Sequence, residues 1–315
     1  MKVIATRLVQ LVVVLLAVTF ITTFLISQFR GGEDVVLCSI LGAECGNVER
    51  AEQLRDQLHL DEPVVSRWVL WVGDAVQGDL GVSAGSGRPV STLIADRAPV
   101  SIAIVVYAQI LALLIAMPLG VIAAHRQGTL FDRAANTTAF GLLAMPNYVV
   151  ALLLIMVFPF GLGFFPAVAE GDVGPLDVRQ LFLPSLALAL GLVAVYLRLL
   201  RTDMIATLQE DFIGMAKAKG MPTAHILVRH ALRPSSLNLL TTVGLNFGNL
   251  IAGAVVVEVI FNIQGLGSAL TFAVAQRDIF VIQGVTAVIA VTFVVINFVV
   301  DATYSVLDPR IRRRG

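Results

Sequence analysis

Apolar and polar positions along this chain fall in long blocks rather than alternating residue by residue. Six windows carry no Asp, Glu, Lys or Arg: Leu8–Phe29, Ala98–Ala124, Ala134–Ala169, Gln180–Leu197, Pro234–Val257 and Ile279–Val300. A helix crosses the hydrocarbon of a bilayer in roughly 17–25 residues at about 1.5 Å each. Five windows meet that length comfortably, and Gln180–Leu197 is marginal. In hydrocarbon every backbone group must be satisfied within its own segment, so the windows predict helices. Ala134–Ala169 is too long for one straight span, and Pro159 and Pro166 are expected to mark its exit. Pro118 and Pro146 fall inside spans two and three and predict kinks, which suit a pathway that opens or an inert bundle. Lys2 and Arg7 precede the first window as in a secretory signal. Its apolar core, however, exceeds the roughly 7–15 residues of such a signal and no small-x-small site follows, so an uncleaved first helix is expected.

Composition agrees with the pattern. Of 315 residues, 57% are hydrophobic and 14% charged, against about 25% charged in a soluble domain. The expected fold class is therefore an all-α integral membrane protein with six transmembrane helices in a single domain, 1–315. The zero net charge hides an asymmetry that sets orientation. With the N-terminus in the cytoplasm, fourteen of the 22 Lys and Arg fall inside. Six of the other eight sit in one long segment, which crosses largely regardless of charge. Both termini are thus expected to be cytoplasmic.

That long segment, residues 30–97, is an extracytoplasmic insertion between spans one and two, with 6 basic and 11 acidic residues. It holds the only two cysteines, Cys38 and Cys45. A disulfide is permitted outside the cytoplasm and is expected here, with two unrelated thiols as the alternative. Val48–Leu60 has helical character. Val64–Val76 predicts an interfacial helix with Val65, Trp68, Val69 and Val72 on one face. Gly78–Ser83 and Ser86–Pro89 read as turns. In span five, Gly244 and Gly248 form a small-xxx-small pair, which suits close helix approach at a subunit contact or within the bundle.

The polar, basic segment 198–233 is set between two apolar runs. Met204, Leu208, Phe212 and Met215 recur at helical spacing and predict one apolar stripe. Lys217 and Lys219 suit the negative end of the helix dipole. Gly220 predicts a helix terminator and Pro222 the first turn of the next helix. The result is a helix–turn–helix knob, which could dock on a partner or lie flat on anionic lipid.

Ala216-Lys217-Ala218-Lys219-Gly220, followed by His230-Ala231-Leu232-Arg233, resembles the coupling loop of ABC importer permeases, closest to the B-subunit type of dipeptide and oligopeptide permeases. The similarity extends to Gly253–Glu258, Phe261, Gly265-Leu266-Gly267, Arg277-Asp278, Gln283-Gly284, Asp301, Tyr304 and Leu307–Arg310, and to Asp61-Glu62-Pro63 and Gly78–Ser83 in the insertion. Two positions depart: the general motif's Glu falls at Gly214, and its Pro at Arg233, one place before Pro234. The resemblance implies a type I ABC importer permease fold in the bacterial cytoplasmic membrane. It implies import of di- or oligopeptides, with nickel chelates or other small solutes as the alternative. It also implies a second homologous permease, two ATPase subunits and an extracytoplasmic substrate-binding protein or lipoprotein. The coupling residues it carries over are Phe212, Met215, Ala216, Lys217, Ala218, Lys219, Gly220, His230 and Arg233.

Catalysis within the chain is not expected. No G-x-x-x-x-G-K-[ST] is present, and Gly85-Ser86-Gly87-Arg88 lacks the lysine and follows no strand. ATP and magnesium would be used by partner subunits, with no cofactor held here. No H-E-x-x-H or other metal spacing occurs, and no nucleic-acid partner is expected. A stand-alone secondary transporter would show an inverted repeat and mid-span charges, and neither is seen. Glu258 lies four residues before Asn262 near a span end, where the two could line a pathway or gate, or anchor a turn. Asp301 is expected to pair with Arg310 or Arg7.

Overall fold

The structure is a computed structural model that describes residues 2–27 and 62–307, with isolated positions between 38 and 55. In chain order the helices are α1 (Lys2–Ser27), α2 (Val64–Val76), α3 (Val90–His125), α4 (Leu130–Ala144) and α5 (Asn147–Ile155), which continues as a π-helical turn over Met156–Leu162. They are followed by α6 (Val178–Leu208), α7 (Asp211–Ala218), α8 (Thr223–Ile260, with a π-helical turn at Ile226–Ala231), α9 (Leu266–Gln276) and α10 (Ile279–Leu307). Among the described residues the only β pairing is an isolated bridge between Val82 and Pro89. The fold is all-helical, as the apolar blocks require.

Helices α3, α6, α8 and the first part of α10 are long and apolar enough to cross a membrane. The α4–α5 pair makes a fifth candidate span if taken as one, although its halves meet at 107°. The first window forms a helix, but its described apolar part, Val12–Leu25, is shorter than a span. Pro146 therefore does more than kink span three. Met145, the residue before it, is extended at φ −94°, ψ 126°, as the proline ring demands of its predecessor. Pro146 then caps α5 at the helix start, where its missing N–H costs nothing. The exit also differs from expectation: Pro159 lies inside the π turn, and left-handed Gly163 closes it at φ 70°. Pro118 stays within α3, which is helical throughout.

The chain divides into two compact units, Met1–Ser101 with Gln264–Val295, and Ile102–Ile263 with Ile296–Gly315. In the first unit, α2 spans the residues predicted for it. Trp71 is buried, and Val65 and Val69 are exposed. The indole N–H of Trp68 donates to Thr19 Oγ1 on α1 at 3.0 Å, and the Trp68 ring stands edge-on to Phe20. Gln283 of α10 reaches the hydroxyl of Thr23 on α1 at 2.6 Å. Polar side chains on an apolar helix thus find each other, as burial requires. Helix α3 starts at Val90, so the predicted insertion ends in its first turns. The turn before it is clamped by Asp278, whose Oδ2 accepts from Ser83 Oγ at 2.7 Å and Gly85 N–H at 3.2 Å. Its Oδ1 takes Val281 N–H at 3.3 Å, capping α10.

In the second unit α6 is the central helix. It packs against α4, α5 and α8, and Gly120 on α3 approaches Leu197 and Leu200 so closely that a Cβ there would lie 3.2–3.3 Å from them. Gln109 on α3 and Tyr196 on α6 exchange buried hydrogen bonds at 2.9 and 3.3 Å. The most apolar window of α6 is 67% buried, against 28% in α10. That explains its marginal apolar length in sequence: a helix wrapped by protein does not need the uniformly lipid-soluble surface of an outer span. Gly244 and Gly248 are both buried within this packing.

The Cys38–Cys45 pairing falls on Cys45, outside the described residues, as do most of Val48–Leu60 and the side chain of Asp301.

Candidate functional site

Helix α6 ends at Leu208, and Glu210 turns extended at ψ 149° before α7 begins. This break has no Gly or Pro to announce it, and it rotates the faces. The predicted stripe is accordingly not one face of one helix. Met204 is fully buried on α6, whereas Phe212 and Met215 on α7 are 42% and 62% exposed. The inward face of α7 is Ile213 and Ala216, both buried. This face rests against the π turn of α8, where Ile226 and Ala231 are buried.

Asp211 lies in the first turn of α7 and Lys217 in the last, so both charges complement the dipole. The helix closes as the sequence predicts. Gly220 is left-handed at φ 73°, its N–H bonds Lys217 O at 3.0 Å, and Met221 N–H bonds Ala216 O at 3.3 Å. A helix C-terminus of this kind favours glycine because a side chain there would be strained. Pro222, at φ −64° and ψ 141°, sits one place before α8 and caps it.

The sequence-predicted residues divide by environment. Phe212, Met215, Lys217, Ala218, Lys219 and Gly220 are exposed together on α7 and its turn. Ala216 faces inward, and Arg233 is exposed on α8. His230 is half-buried; its ring centroid lies 5.4 Å from that of His225. Its Nε2 is buried with no hydrogen-bond partner among the described residues. Gly214, where the general motif has Glu, is exposed, and a Cβ there would meet nothing within 4 Å. The elbow therefore presents two apolar side chains, two ammonium groups and an open backbone turn, held from beneath by Ile213 and Ala216. That arrangement can bind a protein surface; it has no pairing of nucleophile, base or metal ligands.

Glu258 and Asn262 differ in exposure. Glu258 is buried, and its carbonyl takes Ile263 N–H at 2.8 Å at the end of α8. Asn262 is exposed and left-handed at φ 53°.

Sequence reading missed one polar site nearby. Asp132, in the first turn of α4, is 3% exposed. Its carboxylate is gripped at both oxygens by Arg201 of α6, with Nη2 2.8 Å from Oδ2. It also accepts from Gly128 N–H at 2.8 Å and Asn136 Nδ2 at 2.9 Å. The available signal was Thr129-x-x-Asp132, a capping pattern at a helix start, and Thr129 does cap Asp132 N–H. One turn before Arg201, the Arg198 guanidinium lies 4.0 Å from the centre of the Phe140 ring.

Residues 116–313 match the family of binding-protein-dependent transport system inner membrane components. Three relatives align over nearly their full length. A Brucella abortus (strain 2308) protein, provisionally named a peptide transport system permease, is 35% identical over 311 residues, 97% of each chain. The oligopeptide transport system permease protein AppB of Bacillus subtilis (strain 168) is 36% identical over 307 residues, 95% of each. The glutathione transport system permease protein GsiC of Escherichia coli O6:H1 is 35% identical over 306 residues, 97% of each.

Proposed function

Because this chain belongs to the family of binding-protein-dependent transport system inner membrane components, and is thus a non-catalytic permease of an ABC transporter, we propose that it imports di- or oligopeptides. The peptide reading follows the names of its relatives, which cover oligopeptide and glutathione transport. Helix α1 joins the four long helices and the bent α4–α5 element to give six spans, with both termini in the cytoplasm. A second homologous permease completes the pathway. Two ATPase subunits use ATP and magnesium below it, and a substrate-binding protein or lipoprotein delivers cargo from outside. Binding and hydrolysis then shift the pathway between its two orientations.

The observation that carries this reading is the elbow. Phe212 and Met215 stand out from an eight-residue helix whose other face is buried. Burying such side chains against a partner yields about 1.5–3 kcal/mol each, and the flanking Lys217 and Lys219 favour an acidic rim on that partner. Arg233, exposed on α8, extends the same interface.

The test is Gly220→Asp. The left-handed backbone costs an L residue about 1–2 kcal/mol, and the new carboxylate faces a basic rim. The variant is expected to insert into the membrane while uptake falls at least tenfold and ATP hydrolysis continues. Normal uptake would show that residues 211–233 do not couple the motor to the pathway. Purification of the wild-type chain in mild detergent should recover a second permease and ATPase chains.

A further inference from the structure

Helix α6 carries two arginines one turn apart, and both grip α4. Arg201 holds the Asp132 carboxylate at both oxygens, and Arg198 lies on the Phe140 ring. With Gly128 N–H and Asn136 Nδ2 also donating, the Asp132 carboxylate accepts four hydrogen bonds in a buried setting. A two-pronged guanidinium–carboxylate contact fixes both distance and angle, which a single-point contact does not. The junction is therefore stiff.

Its position is what gives it a role. Arg201 is seven residues before the end of α6, about 10 Å along the axis, and α7 follows after a two-residue break. The same end of α6 is tied to α8 by Ser235 Oγ to Thr207 Oγ1 at 2.9 Å and Asn238 Nδ2 to Asp203 at 3.2 Å. On the other side, α4 leads into the 107° bend and α5. A displacement of the elbow that moved the end of α6 would reach α4 through this arginine grip. Packed elements with discrete arrangements are what carry such coupling.

We propose that the Arg201–Asp132 pair is the strut that delivers displacement of the elbow to the bent α4–α5 element, with Arg201 a positioning residue for transport. This rests on the assignment of residues 211–233 as the motor-docking loop.

The experiment uses the assembled transporter in vesicles and reads peptide taken up per ATP hydrolysed. Arg201→Met, Arg201→Lys, Asp132→Asn and the Arg201→Met/Asp132→Asn double variant are compared with wild type, with Gly220→Asp run beside them. Arg201→Met and Asp132→Asn are expected to assemble and hydrolyse ATP, with uptake per ATP at least tenfold lower. Arg201→Lys retains charge but loses the fork and falls about threefold. The double variant falls no further than the worse single one, since both remove the same grip. Unchanged uptake per ATP in assembled Arg201→Met overturns the proposal. Failure of Asp132→Asn to assemble also overturns it, because a same-shape change that abolishes assembly assigns the pair to folding alone. If Gly220→Asp uncouples and the Arg201 variants do not, the strut fails while the docking loop stands. If Gly220→Asp transports normally, the docking assignment itself fails.

Discussion

Two turns in this protein both carry a left-handed glycine, and their surroundings are opposite. At Gly81, φ 87°, a Cβ would lie 2.4 Å from the Phe280 ring. At the neighbouring Gly85 it would lie 2.4 Å from the Gln276 amide oxygen, and at Gly284 it would lie 2.7 Å from Val90. The Asp278 carboxylate bonds across this turn to Ser83 and Gly85. At Gly220, φ 73°, nothing lies within 4 Å, and the same is true of Gly214. Both regions stand out in sequence by the same residue types. At Gly81, Gly85 and Gly284 the first is crowded by its own chain, so those glycines serve internal close packing. The second is uncrowded by its own chain at Gly214 and Gly220, and Phe212 and Met215 beside them are exposed. Crowding at Gly81, Gly85 and Gly284 thus marks that region as internally packed, which the residue types alone do not.

The strongest way to break this comparison is Gly81→Val. Overpacking costs about 1–3 kcal/mol and a left-handed β-branched residue about 1–2 more. The variant should be recovered poorly from membranes, with a melting temperature in detergent well below that of Gly220→Ala, which bears only the backbone cost. Equal melting would mean that the crowding at Phe280 is relieved cheaply and that the contrast is empty.

Asp278→Ala comes next. It leaves the buried Ser83 hydroxyl and two backbone N–H groups without their acceptor and removes the cap of α10. A loss of about 2–3 kcal/mol is expected, and Asp278→Asn should recover part of it. Thermal unfolding of the two variants side by side measures the clamp. A Ser83→Ala change alone should cost less, because Asp278 keeps the Gly85 and Val281 N–H donors and only Ser86 N–H loses its acceptor.

Local punctuation made parts of this structure readable. Helix α2 matches Val64–Val76 because Pro63 and Gly78 bound it, and the Gly220–Pro222 elbow is written in residues whose backbone preferences are nearly absolute. The residues proposed for a coupling loop rest instead on the resemblance of Ala216–Gly220 and His230–Arg233 to the loop of such permeases. Facing was not readable. Val65, Trp68, Val69 and Val72 share one face of α2 by spacing, but an apolar surface can meet lipid or protein, and only tertiary packing decides. The α6–α7 break at Gln209–Glu210 has no breaker residue, so the helical spacing runs on through Phe212 and Met215 although α7 turns them the other way. Pro146 was read as a kink because a proline cannot state whether its neighbours will bend or separate. Asp132 and Arg201 are 69 positions apart, and nothing in a single sequence pairs them. Glu258 was visible as a lone acid, yet its burial was not.

The smallest expected effect on stability is the most telling for function. Phe212→Ala and Met215→Ala truncate exposed side chains, and such surface changes shift stability by about 0.5 kcal/mol or less. Ile213→Ala, between them in sequence, truncates a fully buried residue and should cost about 2–4 kcal/mol. In detergent the Phe212→Ala/Met215→Ala double variant should therefore melt with wild type, while Ile213→Ala melts clearly lower. Recovery of ATPase chains should show the reverse order, with the double variant losing most of its partner and Ile213→Ala losing only in proportion to its unfolded fraction. Central apolar anchors dominate the energy of a protein interface, so two such truncations are enough to separate the subunits. If the double variant keeps its ATPase chains, the exposed face of α7 is not where the motor holds this protein.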